Sequence, residues 1–88
     1  MIRTSNIRCR EYVKQRIPFK ANNLFAENHG GNYYVFSYGY HWILFAYVKG
    51  VWYENNNKYS ATTSKHHGQA HPLVDTISLN KNDIHKLY

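Results

Sequence analysis

The stretch from Tyr33 to Asn55, which reads YYVFSYGYHWILFAYVKGVWYEN, decides the fold of this 88-residue chain. Aromatic and β-branched residues dominate the stretch, and such residues favour β-strands. Gly39 and the pair Lys49-Gly50 are its two interruptions. A two-residue turn at Lys49-Gly50 would place Val48 opposite Val51. The stretch therefore predicts the centre of an antiparallel β-meander.

Alternation along these strands assigns their side chains to two faces of a sheet. One face is expected to carry Trp42, Leu44, Ala46, Val48, Val51 and Tyr53. The other face is expected to carry His41, Ile43, Phe45, Tyr47, Trp52 and Glu54. Because both faces are largely apolar, both need cover, and a helix can supply it for one of them.

Further elements are expected around the meander. Residues 5–17 predict a helix that begins at Ser5 and ends before Pro18, because Ser is a good N-cap and Pro stops a helix. Asn80 is expected to cap a C-terminal helix, with Asp83 at its third position. The remaining expectations are a short strand at 24–27, a turn at 28–32, a short helix at 64–69 and a last strand at 73–78.

The sequence thus predicts a single α+β domain over residues 1–88. Its sheet is expected to be an antiparallel meander of four or five strands, accompanied by a basic N-terminal helix and a short C-terminal helix. The expected parts are the basic helix or arm at 1–17, the meander at 18–60, and a polar loop or helix, a strand and the C-terminal helix at 61–88. Nine Tyr, four Phe and two Trp can reinforce so small a core, because each ring buries a large area.

The positive charge of the chain is concentrated near its start. The formal net charge is +6, from 11 Lys and Arg against 5 Asp and Glu. Such asymmetry suggests contact with a polyanion, although a solvated helix face that only keeps the protein in solution is the alternative. The residues expected to contact a nucleic-acid backbone are Arg3, Arg8, Arg10, Lys14 and Arg16.

Two features bear on the compartment. Residues 1–6 lead into charge rather than into the apolar core of a secretion signal, and the apolar run from Trp42 to Val48 is too short to span a bilayer. Cys9 is the single cysteine, so no internal disulfide can form, as is typical of a reducing interior. A cytoplasmic protein without a membrane partner is expected.

The segment from Lys58 to Pro72 carries most of the polar chemistry of the chain. Buried hydroxyls and imidazoles without partners are costly, so these side chains are expected to face water or a polar ligand. Ser, Thr, Lys and His donors together suit an oxyanion such as phosphate, and a Thr-capped helix start would add backbone N–H groups. The alternative is a plain N-cap followed by a polar surface loop. The expected ligand-binding residues are Lys58, Tyr59, Ser60, Thr62, Thr63, Ser64, Lys65, His66 and Gln69.

Other chemistries have less support from the sequence. No Cys-x-x-Cys or His-Glu-x-x-His pattern accompanies His66, His67 and His71, so neither a metal nor a cofactor is expected. A metal-independent ribonuclease would need an acid–base pair, and the candidates for it are His41, Glu54 and His66. Exposed aromatic rings would suit stacking on single-stranded nucleic acid, although most rings must form the core. The rings considered are Tyr34, Tyr38, Tyr40, Tyr47, Trp52 and Tyr59.

Several motifs between residues 18 and 72 resemble a known family. They are Pro18-Phe19-Lys20, Ser37-Tyr38-Gly39-Tyr40-His41-Trp42, Trp52-Tyr53-Glu54-Asn55 and Lys58-Tyr59-Ser60-Ala61-Thr62-Thr63-Ser64-Lys65-His66, followed by Gln69 and Pro72. The chain is similar there to small phage- and plasmid-encoded proteins that are grouped only as a domain of unknown function. It departs from that family at Ile43, where members carry Pro, and at His71, where they often carry Arg. The resemblance implies a mobile-element origin, and so work against host defence or on nucleic acid. The expected compartment is then the cytoplasm of the host cell.

Together these observations favour a small, basic, phage-type accessory protein that binds nucleic acid, whether DNA or RNA, or another phosphate-bearing ligand. The first alternative is a host-directed inhibitor that acts by protein contact through its aromatic face. The second alternative is a metal-independent ribonuclease. The sequence leaves the oligomeric state open, and a homodimer is compatible with it.

Overall fold

The computed structural model describes residues 2–57 and 61–88. Within these ranges the helices are α1 (Cys9–Lys14), α2 (Ala61–Ala70) and α3 (Lys81–His85). The strands there are β1 (Ile2–Arg3), β2 (Phe19–Ala21), β3 (Leu24–His29), β4 (Asn32–Ser37), β5 (Ile43–Val48), β6 (Val51–Asn55) and β7 (Ile77–Leu79). The chain is therefore a mixed α+β protein, as predicted at this coarse level.

All of these strands belong to one sheet and follow one another in it in the order of the sequence. Neighbours from β2 to β6 are antiparallel, whereas β1 pairs with β2, and β6 with β7, in parallel. The prediction of four or five antiparallel strands is therefore wrong. The outer pairs are parallel because α1 and α2 return the chain to the same end of the sheet, as a parallel pair requires.

Tight turns join the central strands. Gly30-Gly31 links β3 to β4 and Lys49-Gly50 links β5 to β6, with positive φ angles at all four positions. Positive φ at both central residues is the geometry that the favoured two-residue hairpin turn requires. The structure pairs Val48 with Val51, so the predicted register of this hairpin is confirmed.

The predicted assignment of side chains to faces is wrong at the start of β5. Val35 pairs with Phe45, but the next residue of β4, Phe36, pairs with Ile43, so Leu44 is an extra residue. Such a β-bulge interrupts the alternation of side chains. Leu44 therefore joins the core cluster of Phe45, and Ile43 joins the cluster on the other face.

The predicted helix over 5–17 is also wrong in its extent, because α1 has only six residues. Arg16 adopts a left-handed conformation with φ of +57°, and the N–H of Ile17 bonds back to the carbonyl of Tyr12 at 2.9 Å. This Schellman arrangement ends the helix well before Pro18. Since α1 holds Arg10 and Lys14 beside Glu11, it is not the basic helix that the sequence predicted.

A side chain keeps the residues before α1 out of the helix. Asn6 accepts a hydrogen bond from the backbone N–H of Asn22 at 2.9 Å and donates one to the Asn22 carbonyl at 3.1 Å. The two bonds fasten this segment to the β2–β3 turn. Ser5, the expected N-cap, instead accepts the N–H of Arg8 with its backbone carbonyl.

Helices cover both faces of the sheet. Cys9 and Val13 of α1 and Ala70 of α2 belong to one buried cluster, and Ile84 of α3 belongs to the cluster on the opposite face. The predicted cap of α3 is confirmed, because the Asn80 side chain accepts the N–H of Asp83 at 2.8 Å. No helix in the described ranges is long and apolar enough to cross a membrane.

Candidate functional site

Helix α2 carries most of the predicted ligand-binding segment and turns one stripe of it toward the sheet. Thr63, His66 and Ala70 are buried, and their spacing of three and four residues puts them on one helical face. The expectation of a wholly outward-facing segment is therefore wrong for Thr63 and His66. The other predicted residues on the helix are exposed or half-buried: Thr62, Ser64, Lys65 and Gln69. The predicted residues that lie outside the described ranges are Lys58, Tyr59 and Ser60.

His66 fastens α2 to β4. Its Nδ1 lies 2.9 Å from the hydroxyl oxygen of Ser37, and both side chains are buried. Burial lowers the pKa of His66, and the charge of Lys65 lowers it further. His66 is therefore neutral at pH 7 and serves the interior of the protein rather than an acid–base pair with Glu54.

His41 lies beside α3. The side chain of His41 is exposed, and its neighbour His85 accepts the backbone N–H of Ile43 at 3.3 Å. Burial lowers the pKa of His85, and the nearby His41 lowers it as well. Among the described contacts, the three acid–base candidates His41, Glu54 and His66 thus have separate neighbours.

Glu54, near the end of β6, is the point at which several donors converge. Its Oε2 lies 3.1 Å from Nε2 of His67 and 3.8 Å from Nε2 of His71. Its Oε1 accepts a hydrogen bond from the hydroxyl of Thr76 at 2.8 Å and a longer one from Ser78 at 3.5 Å. One carboxylate therefore links β6 with α2, with the segment that follows α2, and with β7.

The hydrogen bonds fix the proton positions of the two imidazoles. Nδ1 of His71 accepts the backbone N–H of Leu73 at 2.9 Å, so neutral His71 carries its proton on Nε2. Neutral His67 must likewise donate from Nε2 to Glu54, which leaves its Nδ1 as an acceptor. Burial lowers the pKa of His67, and the opposing effect of Glu54 is smaller.

This arrangement does not suit a metal ion. A metal at Nε2 of His71 would displace the proton to Nδ1, where the N–H of Leu73 already points. Across residues 2–57 and 61–88, no group of three His, Cys, Asp or Glu side chains is placed to hold a metal ion.

A cavity of about 350 Å³ opens beside Glu54. Eight of the nine residues that line it have polar side chains. The lining residues are Leu44, Glu54, residues 55–57, Ser78 and the α2 residues Thr63, Ser64 and His67. Two of the asparagines also order the loop, since Asn55 donates to the Ile43 carbonyl at 2.8 Å and Asn57 accepts the N–H of Lys81 at 2.6 Å. A concave, polar site of this size suits a small polar ligand.

The arginines predicted to contact nucleic acid have different surroundings. Arg10 donates from Nε to the His71 carbonyl at 2.8 Å and from Nη2 to the Gly68 carbonyl at 2.6 Å. It thereby caps the negative end of α2, so its guanidinium is used internally. Arg16 lies over the ring of Tyr47 at 4.6 Å. Arg16 is exposed, as are the remaining basic residues of the predicted set, Arg3, Arg8 and Lys14.

The aromatic residues considered for base stacking divide in the same way. Tyr34 and Trp52 are buried, and Tyr47 is half-buried. Tyr38 and Tyr40 are exposed, and the hydroxyl of Tyr40 donates to Glu27 at 2.6 Å. Tyr59 lies outside the described ranges. Of the rings considered for stacking that lie within the described ranges, only these two, in the β4–β5 connection, are exposed.

Comparison with known proteins gives no further guide: no family model, no curated protein and no solved structure matches the chain.

Replacing Arg10 with Ala is expected to destabilise the protein by about 1–3 kcal/mol, because two carbonyls at the end of α2 lose their charged donor. Urea unfolding measures the change. The matched control is Arg8→Ala, which removes an exposed arginine of the same charge and should stay within about 0.5 kcal/mol. Equal effects of the two substitutions would contradict the capping role.

Acidification is expected to destabilise the protein. Burial lowers the folded-state pKa of His66, His67 and His85, so the unfolded chain binds protons first as the pH falls through about 6.5. Their contribution is complete above that pH and is lost below it, with a slope of at most about 1.4 kcal/mol per pH unit for each group. Urea unfolding between pH 7.5 and 5 measures the slope, and a stability that rises on acidification would exclude this explanation.

Proposed function

We propose that this protein binds nucleic acid or another phosphate-bearing ligand at the cavity between α2 and the end of β6. One observation carries the proposal. Ser64 lines the cavity from the first turns of a ten-residue helix, and the exposed Thr62 and Lys65 adjoin it in the sequence. Hydroxyl and ammonium donors beside a polar cavity are the groups that phosphate oxygens require.

The carboxylate in the cavity limits where a phosphate can lie. Glu54 would repel it, although Thr76 and His67 already donate to that carboxylate. The phosphate is therefore expected at the end of the cavity formed by Ser64 and beside Lys65. The amide groups of residues 55–57 and the Ser78 hydroxyl would then face the neutral part of the ligand.

The net charge supports a polyanionic ligand. With a net charge of +6, the chain attracts nucleic acid at long range. Arg3, Arg8 and Lys14 are exposed and can contribute to this attraction, whereas Arg10 is occupied by α2. The resemblance to phage- and plasmid-encoded proteins agrees with an accessory role of this kind.

Binding to short single-stranded RNA and DNA is expected to weaken steeply with salt, because bound lysines and arginines release counterions from the phosphates. Fluorescence anisotropy at several salt concentrations measures the slope. Lys65→Gln should reduce affinity by about five-fold and lower the slope by about one.

The control for that variant is Lys86→Gln. Lys86 follows α3, which covers the opposite face of the sheet, and its ammonium lies 3.5 Å from Asp83. Both substitutions remove one positive charge, so a larger loss of affinity in Lys65→Gln would reflect a local contact of Lys65 with the ligand. Equal losses in the two variants would leave only a general charge effect, and affinity that is absent or independent of salt would contradict the proposal.

A second candidate, contact with a host protein, is favoured by a separate groove. This groove of about 640 Å³ lies between the end of α1 and the β5–β6 hairpin, and its lining includes Arg16, Val51, Trp52 and Val74. Val74 is 49% exposed, and the adjoining Leu73 is 59% exposed. Exposed apolar side chains that adjoin one another are typical of protein contact surfaces.

A further inference from the structure

The cavity contains a histidine that a carboxylate holds in one orientation. Oε2 of Glu54 lies 3.1 Å from Nε2 of His67, and the His67 ring stacks on Phe45 with a centroid separation of 4.7 Å. Glu54 is itself fixed by the Thr76 hydroxyl at 2.8 Å. A base oriented by a carboxylate, which is in turn oriented by a third group, is an arrangement that general-base catalysis uses.

The proton positions give His67 the role of a base. The N–H of Nε2 points at Glu54, so the lone pair of the neutral ring is on Nδ1. The titratable groups that face His67 are Glu54 of β6 and His71 of the segment after α2. Burial lowers the pKa of His67, which keeps the ring neutral at pH 7. Protonation of Nδ1 during a reaction would create an imidazolium beside Glu54. The negative charge of the Glu54 carboxylate would stabilise this imidazolium.

The position of His67 relative to the expected phosphate indicates which reaction His67 can assist. Ser64 stands three residues before His67 on α2, so the two side chains lie on neighbouring positions of one helical face, and both line the cavity. A ligand whose phosphate meets Ser64 therefore brings the adjoining sugar toward His67. In RNA that sugar carries a 2′-hydroxyl next to the phosphodiester, whereas DNA has no such group.

We propose that His67, positioned by Glu54, is the general base of a metal-independent RNA cleavage in this cavity. The inference rests on the proposed binding of nucleic acid. Nδ1 of His67 takes the proton of the ribose 2′-hydroxyl, and the 2′-oxygen attacks the adjacent phosphorus. As the new P–O2′ bond forms, the P–O5′ bond breaks, and water protonates the leaving 5′-oxygen. The products are a 2′,3′-cyclic phosphate and a 5′-hydroxyl, and His67 then releases its proton to solvent.

The other side chains have supporting roles in this step. Glu54 does not touch the substrate and acts through His67, so it is a positioning residue. The Ser64 hydroxyl can donate to a phosphate oxygen on which negative charge increases as the phosphorus becomes five-coordinate. His66, one of the two histidines that the sequence suggested as acid–base candidates, is bonded to Ser37 inside the protein.

The test incubates the full chain with a labelled single-stranded RNA of mixed sequence and with the same sequence carrying 2′-O-methyl groups throughout. Cleavage of the first but not the second is expected, with a cyclic phosphate found by mass spectrometry. His67→Gln should lower the cleavage rate by about 100-fold or more. Glutamine keeps an N–H that can donate to Glu54 but cannot accept a proton, so the fold is spared.

Two further variants complete the experiment. Glu54→Gln should slow cleavage and move the acid limb of the pH–rate profile to lower pH, because the imidazolium loses its carboxylate; a purely structural role would leave the profile in place. His29→Gln, an exposed histidine at the end of β3, should cleave like the unsubstituted protein. Unchanged cleavage in His67→Gln would overturn the assignment.

The binding assay separates this inference from the proposed function. Salt-dependent binding to RNA without cleavage by the unsubstituted protein would overturn the catalytic role and leave the binding role in place. Absence of both binding and cleavage would remove the two proposals together. Cleavage of the 2′-O-methyl RNA would also overturn the mechanism, because that substrate lacks the attacking hydroxyl.

Discussion

The segments around the cavity depend on one carboxylate, that of Glu54. It projects from β6 on the same face as α2 and receives donors from His67, Thr76 and, at longer range, His71 and Ser78. A carboxylate in a partly buried position is costly unless it is hydrogen-bonded, so these donors must stay close to it. Because these donors belong to α2, to the segment after it and to β7, all three lie together beside Glu54 at the end of the sheet. The cavity is the space that remains between them.

Two further interactions hold α2 in place at points away from Glu54. His66 joins the middle of the helix to Ser37 of β4, and Arg10 holds the last carbonyls of the helix through its guanidinium. Both side chains were predicted from the sequence to contact a ligand. The buried side of α2 thus sets the orientation of its exposed side, from which Ser64 lines the cavity. Buried and exposed polar side chains therefore share a single short helix.

The sequence predicted the parts of the fold that depend on local chemistry. The hairpin at Lys49-Gly50 and the Asn80 cap follow from the backbone preferences of neighbouring residues, and both are confirmed. The bulge at Leu44 and the parallel edge strands depend on partners distant in the chain, which no local pattern shows. The convergence of hydrogen-bond donors on Glu54 was not predicted, because those donors are also distant from Glu54 in the chain. Nothing in the sequence indicated that His67 and His71 would both lie beside Glu54.

The central claim is that His67 is neutral at pH 7, carries its proton on Nε2 and donates it to Glu54. Nitrogen-15 NMR of the histidine rings tests this directly, because the two ring nitrogens of each tautomer differ in chemical shift. The expected result is a His67 ring protonated on Nε2 alone, with an exchange-protected N–H signal that is lost in Glu54→Ala, which removes the acceptor. A His67 ring protonated on Nδ1, or one whose signals are the same in the presence and absence of the Glu54 carboxylate, would contradict the claim.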